Sequence, residues 1–242
     1  MKDQKLDSYS HELLRCETED ETIDSLYKFA KFFNMERLAY HHLPPHQTND
    51  FDEKRFFARG YNEQSVEAYK RDHKIFTCPI SMHVNASGET LTIKEACRIL
   101  NFSSKQKKFY ARFFMPEHAT GFVAPVFGRK GRNGVFVLTA DREDRTHSPI
   151  ELRLIKWACR EAHLKICDIV LKDTRKSISL TARETEILTW VARGKSNSSI
   201  ADIIGISPHT VNGYLRSVYL KTGVSDRTSA ALVGVRTALI QV

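Results

Sequence analysis

The sequence predicts an α+β sandwich, an antiparallel sheet flanked by helices, followed by an all-α four-helix unit that contains a helix-turn-helix. Three observations carry that reading. Capping boxes open helices at Thr18, Thr92, Ser148 and Thr181, each a hydroxyl residue followed three positions later by glutamate. In such a box each side chain satisfies a backbone N–H of the other. Strand-like apolar runs lie between the first of these helices and the third, and from Leu180 onward only helical periodicity remains.

At 242 residues the chain has room for two domains. Its amino-terminal residues lead into a polar helix with no apolar signal segment. The Thr18 box then starts a helix with Ile23, Leu26, Tyr27, Ala30 and Phe33 at helical spacing and Asn34 as its stop. Strands are expected at 37–43, closed by Pro44-Pro45, and at about 55–61, joined by a polar loop. Asn62 caps a helix to about His73, Cys78-Pro79 falls in a loop, and the Thr92 box opens a short helix. Phe109, Tyr110, Phe113 and Phe114 enrich another helix. Strands at 121–126 and 134–139 form a hairpin with Asn133-Gly134 as its turn signal and a basic tip of Arg129, Lys130 and Arg132. The Ser148 box, with Pro149 first in the helix, opens a long helix to about Leu171. The polar stretch 172–179 reads as a linker, so the domains are 1–171 and 180–242.

Within the second domain, Ile187, Leu188 and Val191 form the inner face of the Thr181 helix, and Gly194 ends it. A short helix carries Ile200, Ala201, Ile203 and Ile204, and Gly205-Ile206-Ser207 is the short glycine-containing turn of a helix-turn-helix. Ser207 is a good N-cap and Pro208 a natural first residue for the next helix. There Val211, Leu215 and Val218 make one buried stripe, leaving His209, Asn212, Gly213 and Arg216 on the remaining arc. A last helix, about 228–239, carries Ala231, Leu232, Val235, Ala238 and Leu239.

Net charge is +8, and it is unevenly spread. From Lys172 onward ten Lys/Arg face five Asp/Glu, whereas the first 171 residues hold 27 against 24. The linker and the helical domain together thus hold most of the excess in less than a third of the chain, as binding to a polyanion by counterion release favours. Five scattered cysteines without a Cys-x-x-Cys pair argue for reduced thiols in the cytoplasm, and against a zinc cluster or a disulfide frame. No run approaches the roughly 18 apolar residues of a membrane span. His73 and Cys78 are near in sequence, but no motif supplies a third group or an oxyanion site, and no phosphate-binding glycine pattern occurs. No catalytic residue, metal or cofactor is therefore assigned. A phosphorylated receiver domain is disfavoured because the first strand ends in Leu43-Pro44-Pro45, without acids.

The C-terminal pattern resembles the LuxR family of transcription factors. The matching residues are Leu-Thr-x-Arg-Glu (180–184), Gly-Lys (194–195), Ile-Ala (200–201), Ile-Ser (206–207), Thr-Val-Asn (210–212), Lys221 and Asp-Arg-Thr-Ser-Ala (226–230). Ser199, Tyr214 and Thr222 depart from the family's usual Glu, His and Leu. The resemblance implies a DNA-binding regulator of the quorum-sensing type. Such a regulator acts on roughly palindromic double-stranded sites as a homodimer, with RNA polymerase as a further partner. Its last helix would serve dimerisation. Arg216 is the foremost candidate for base contact, since a guanidinium reaches guanine O6 and N7 together. Asn212 could pair with adenine or reach a phosphate. His209 and Gly213 share the arc, and Thr210, Lys195, Lys221 and Arg227 are candidate phosphate partners.

With such a tail, the N-terminal domain resembles the family's acyl-homoserine-lactone-binding domain. The candidate ligand residues this implies are Tyr61, Ser65, Tyr69, Cys78, Ile93 and Thr139. Both tyrosines, Pro79 and Gly121 match the family pocket. The indole that donates to the lactone carbonyl is replaced by Ser65, the aspartate that accepts from the ligand amide by Cys78, and a second aromatic by Ile93. A hydrogen bond to a charged group contributes about 1.5–3 kcal/mol, and an unpaired buried amide costs about 1–3 more. Losing the carboxylate then weakens the lactone about tenfold to several thousandfold. The expectation is an atypical member that takes another small molecule, or folds without one. The alternatives are an orthodox lactone-responsive regulator and, more remotely, a thiol enzyme with an appended DNA-binding domain.

Overall fold

The computed structural model describes residues 2–45, 50–51, 55–71, 78–99, 102, 104, 120–140, 147–173 and 178–241. The expected aromatic helix at 109–114, His73 and most of the loop after Pro45 lie outside them. The chain divides into two compact units: Met1–Pro44, Asp52–Gly128 and Arg132–Asp173 form one, and Pro45–Phe51, Arg129–Gly131 and Thr174–Val242 the other.

The first unit is built on an antiparallel five-stranded sheet of order β2-β1-β5-β4-β3. Its strands are β1 (Arg37–Leu43), β2 (Phe56–Arg59), β3 (Leu91–Thr92), β4 (Thr120–Phe127) and β5 (Asn133–Ala140). Strand side chains alternate between faces, and each face buries its own layer of helices. On one face Leu38, Tyr40, Phe122, Ala124, Phe136 and Leu138 pack with α1 (Lys2–Arg15), α2 (Glu19–Lys31) and α6 (Pro149–Asp173). On the other, Ala39, Val123, Val135 and Val137 meet α3 (Glu63–Arg71), α4 (Pro79–Ser87) and α5 (Ile93–Ile99). Burial on both faces explains why β1 and β5 read as nearly continuous apolar runs.

The capping boxes form as the sequence indicates. Thr18 and Glu21 bond reciprocally, as do Thr92 with Glu95 and Ser148 with Glu151. Three features differ from expectation. The segment after Cys78 is a helix rather than a loop, with Pro79 at its start and Gly88 ending it at φ 73°. The long helix runs to Asp173, past the expected end near Leu171. Asn133 and Gly134 are strand residues, paired with Phe127 and Val126, and the turn lies earlier, where Lys130 and Gly131 take φ of 54° and 71°. Gly134 is needed for close packing instead: a Cβ there would stand 2.6 Å from the Tyr40 ring.

Beneath that glycine lies a buried polar chain. The Tyr40 hydroxyl is 2.7 Å from His163 Nδ1 and 3.0 Å from His42 Nδ1, and His163 Nε2 is 3.1 Å from the Arg132 carbonyl. Burial, reinforced by neighbouring His42, pushes the His163 imidazole from its ordinary value down to about 3. Its neutral form therefore stabilises the fold fully above pH 6.5. That contribution fades as pH falls from 6.5 toward 3, because the unfolded imidazole takes a proton that the buried one refuses. The unfolding free energy of this unit, from urea titration, is expected to fall over that window by up to about 1.4 kcal/mol per pH unit. His163→Gln should flatten the slope.

The second unit consists of α7 (Ala182–Ala192), α8 (Asn197–Ile204), α9 (Pro208–Thr222) and α10 (Arg227–Arg236). Ile187, Val191, Ile200, Ala201, Val211 and Leu215 form one cluster, and Leu188, Val218, Ala230 and Ile240 another. The last helix turns differently from the expected stripe: it buries Ala230, Val233 and Gly234, while Leu232 and Val235 are 50% and 46% exposed. It also ends at Arg236, before the expected Leu239.

Candidate nucleic-acid interface and ligand-binding face

The recognition surface begins with a cap. Ser207 Oγ accepts the Thr210 N–H at 3.1 Å and fixes the start of α9, while Gly205, left-handed at φ 69°, ends α8. Val211, Leu215 and Val218 are buried and hold the helix against α7 and α8. His209, Asn212, Gly213 and Arg216 are all exposed, on the arc the sequence assigns to them, and Thr210 is exposed as well. Lys195 is exposed between α7 and α8. A Cβ on Gly213 would meet nothing within 4 Å among the described residues. The fold has no steric need for glycine there, although glycine costs about 1 kcal/mol relative to alanine inside a helix.

Two of the expected phosphate partners also make bonds within the fold. Lys221 Nζ donates to Glu184 Oε2 at 2.6 Å, and the Ser217 hydroxyl donates to Oε1 at 2.6 Å. Glu184 also accepts the Thr181 N–H at 2.7 Å, so the capping carboxylate of α7 is the anchor for α9. Burial by itself would raise this carboxyl. The Lys221 ammonium, the Ser217 hydroxyl and the Thr181 donors together outweigh it and hold Glu184 at about 2. Arg227 donates to the Lys195 carbonyl at 2.5 Å and thus links α10 to the start of α8. No sequence signal could have shown the Glu184–Lys221 pair, because the two residues stand 37 apart and meet only through the fold.

In the first unit, Tyr69, Cys78 and Ile93 are buried together against one sheet face, with Tyr61 partly buried at the margin. Ser65 is partly buried on α3. Thr139 alternates with Val135 and Val137 and so lies on that same face, fully buried, and its Oγ1 has no hydrogen-bond partner among the described residues. Cys78 is the N-cap of α4 and makes no side-chain cap bond. Two further polar residues occupy the face. His41 Nε2 is 3.2 Å from the Tyr69 hydroxyl, and His41 Nδ1 is 3.2 Å from Ser81 Oγ.

A family model described as the autoinducer binding domain matches residues 18–166, and one described as bacterial regulatory proteins, luxR family, matches residues 178–233. The chain belongs to the LuxR family. Transcriptional activator protein AhyR of Aeromonas hydrophila is 31% identical over 184 residues, spanning 72% of this chain and 69% of AhyR. VjbR of Brucella abortus, a quorum sensing-dependent transcriptional regulator, is 35% identical over 109 residues, 44% of this chain and 41% of VjbR. The crystal structure of Escherichia coli SdiA shares the fold, with a TM-score of 0.70 at 17% identity over 98% of both chains.

As a LuxR-type quorum-sensing transcriptional regulator, the chain thus carries a helix-turn-helix whose exposed arc is free of internal packing duties. Among the described residues, the polar groups on the sheet face that holds Tyr69 are hydroxyls, a thiol and an imidazole. Sequence reasoning missed His41 and Ser81, because within β1 a histidine shows only as a break in an apolar run. Among the described residues no helix is long and apolar enough to cross a membrane, and no cluster of His, Cys, Asp and Glu is placed to hold a metal ion.

Proposed function

We propose that this LuxR-type regulator binds double-stranded DNA as a cytoplasmic homodimer through residues 180–242, and that residues 1–171 sense a small molecule other than the usual acyl-homoserine lactone. The DNA reading rests on α9, whose buried stripe leaves His209, Asn212, Gly213 and Arg216 outward together. Arg216 reads base edges, Asn212 and His209 flank it, and Thr210 and Lys195 contact phosphates. Lys221 and Arg227 serve the frame that presents them. The exposed Leu232 and Val235 of α10 form the dimer contact, RNA polymerase is a further partner, and no catalytic role is assigned.

The sensor reading rests on Cys78. An amide-bearing lactone needs an acceptor that a thiol supplies poorly, and among the described residues the buried polar groups on this face, His41, Tyr69, Ser81 and Thr139, include no carboxylate. The buried Thr139 hydroxyl favours a ligand over an empty fold, because an unsatisfied buried polar group costs about 1–3 kcal/mol. Isothermal titration of the full chain with a panel of acyl-homoserine lactones is expected to show nothing tighter than micromolar. A sub-micromolar lactone would restore the orthodox reading. Selection of a random duplex library with the full chain should enrich a roughly palindromic site.

A further inference from the structure

On α9 the residue at the crown has no side chain. With about 100° between successive residues, Gly213 lies roughly opposite the buried line of Val211, Leu215, Val218 and Thr222. His209 precedes it by one helical turn and Arg216 follows it by three residues, both exposed. The result is a gap in the outer face of the helix, walled by an imidazole and a guanidinium, with bare backbone at its floor. Among the described residues, nothing asks for that gap. Gly213 has no left-handed backbone, and a Cβ there meets no described atom within 4 Å. Alanine would fit and would favour the helix. The described packing of the chain therefore does not account for glycine at this position.

We propose that Gly213 is a specificity-determining residue: its missing side chain seats a base-pair edge against the backbone of α9, so that Arg216 and His209 reach neighbouring bases. This rests on the DNA reading above. A helix lying in the major groove approaches the base edges with its outermost face. At the crown, each added carbon holds the whole helix away from the base edges and lengthens every neighbouring contact. Glycine at this one position lowers the helix into the groove without altering its charge.

The test uses duplexes enriched by the wild-type full chain from a random library, with a scrambled duplex of equal length as reference. Gly213→Ala and Gly213→Lys are compared, since alanine adds only bulk while lysine adds bulk and a favourable charge. Both should melt at or above the wild-type midpoint. Both should lose about fivefold to a hundredfold on the enriched duplex, the range of one disrupted base-pair contact. On the scrambled duplex alanine should change little and lysine should bind more tightly. An enriched site that both variants bind within about twofold of wild type, or that lysine binds more tightly, overturns the notch alone. A lowered midpoint overturns it too, because the space beside Gly213 would then be needed by the fold. Failure of the wild type to enrich any sequence overturns the DNA reading, and the notch with it.

Discussion

Lys221→Met is expected to cost the C-terminal helical unit about 2–3 kcal/mol before any DNA is added. The reason is the side chain it abandons. Glu184 is 4% exposed, and without the ammonium it must either keep an uncompensated charge or take up a proton. A fully buried pair would cost about 3–5 kcal/mol, but Lys221 is 36% exposed, which lowers the figure. Glu184→Gln should cost less, because glutamine keeps the capping bond and lysine can turn to water. The double variant should be more stable than the sum of the single losses implies. Acid should mimic the effect. Glu184 is held at about 2 against an ordinary value of 4.5, so its contribution is complete above pH 4.5 and drains as pH falls from 4.5 toward 2. Chemical denaturation followed at Trp190, which packs against the same helices, reads all of this. Unchanged stability in Lys221→Met would return Lys221 to the phosphate-binding set.

Arg216→Ala should do the opposite, leaving stability alone and removing discrimination. Arg216 is exposed on α9, and none of the hydrogen bonds that fix the helix-turn-helix uses it. Loss of one bidentate base contact is worth about 1–3 kcal/mol, or about fivefold to 150-fold in affinity on the preferred duplex. On random duplex the change should be small. Lys195→Ala is the matched control: it should weaken both duplexes alike and lower the salt slope by about one. Fluorescence anisotropy at several salt concentrations separates the two patterns. Equal losses on both duplexes for both variants would contradict the division between base reading and phosphate anchoring.

What was legible in the sequence was what depends on near neighbours. Thr181 and Glu184 are three residues apart, and their reciprocal bonds follow from that spacing alone. So does the stripe of Val211, Leu215 and Val218. The helix after Cys78 is missed and reads as a loop, because Ser81, Asn85 and Ser87 mask its period and leave only the proline that opens it and the glycine that ends it as signals. Long-range needs were not legible. Gly134 looks like a turn residue until the Tyr40 ring is placed beside it, and the pairing of Lys221 with Glu184 shows only in the fold. The outward turn of Leu232 and Val235 depends on Gly234 lying against Leu188 and Ile240, a contact no window on α10 contains. In the first unit, the family resemblance grouped Tyr69, Cys78 and Ile93, and these three are buried in one cluster. The resemblance could not supply His41, which reaches their sheet face only through the register of β1 with β2 and β5.

The outer strands of the sheet bear on how copies of the protein avoid sticking together. One edge, β3, is two residues long, and the other, β2, is four. Strands this short offer little exposed backbone for another chain to extend. A sheet that denies templated growth at both margins resists fibrillar self-association, and it leaves orderly pairing to helical surfaces.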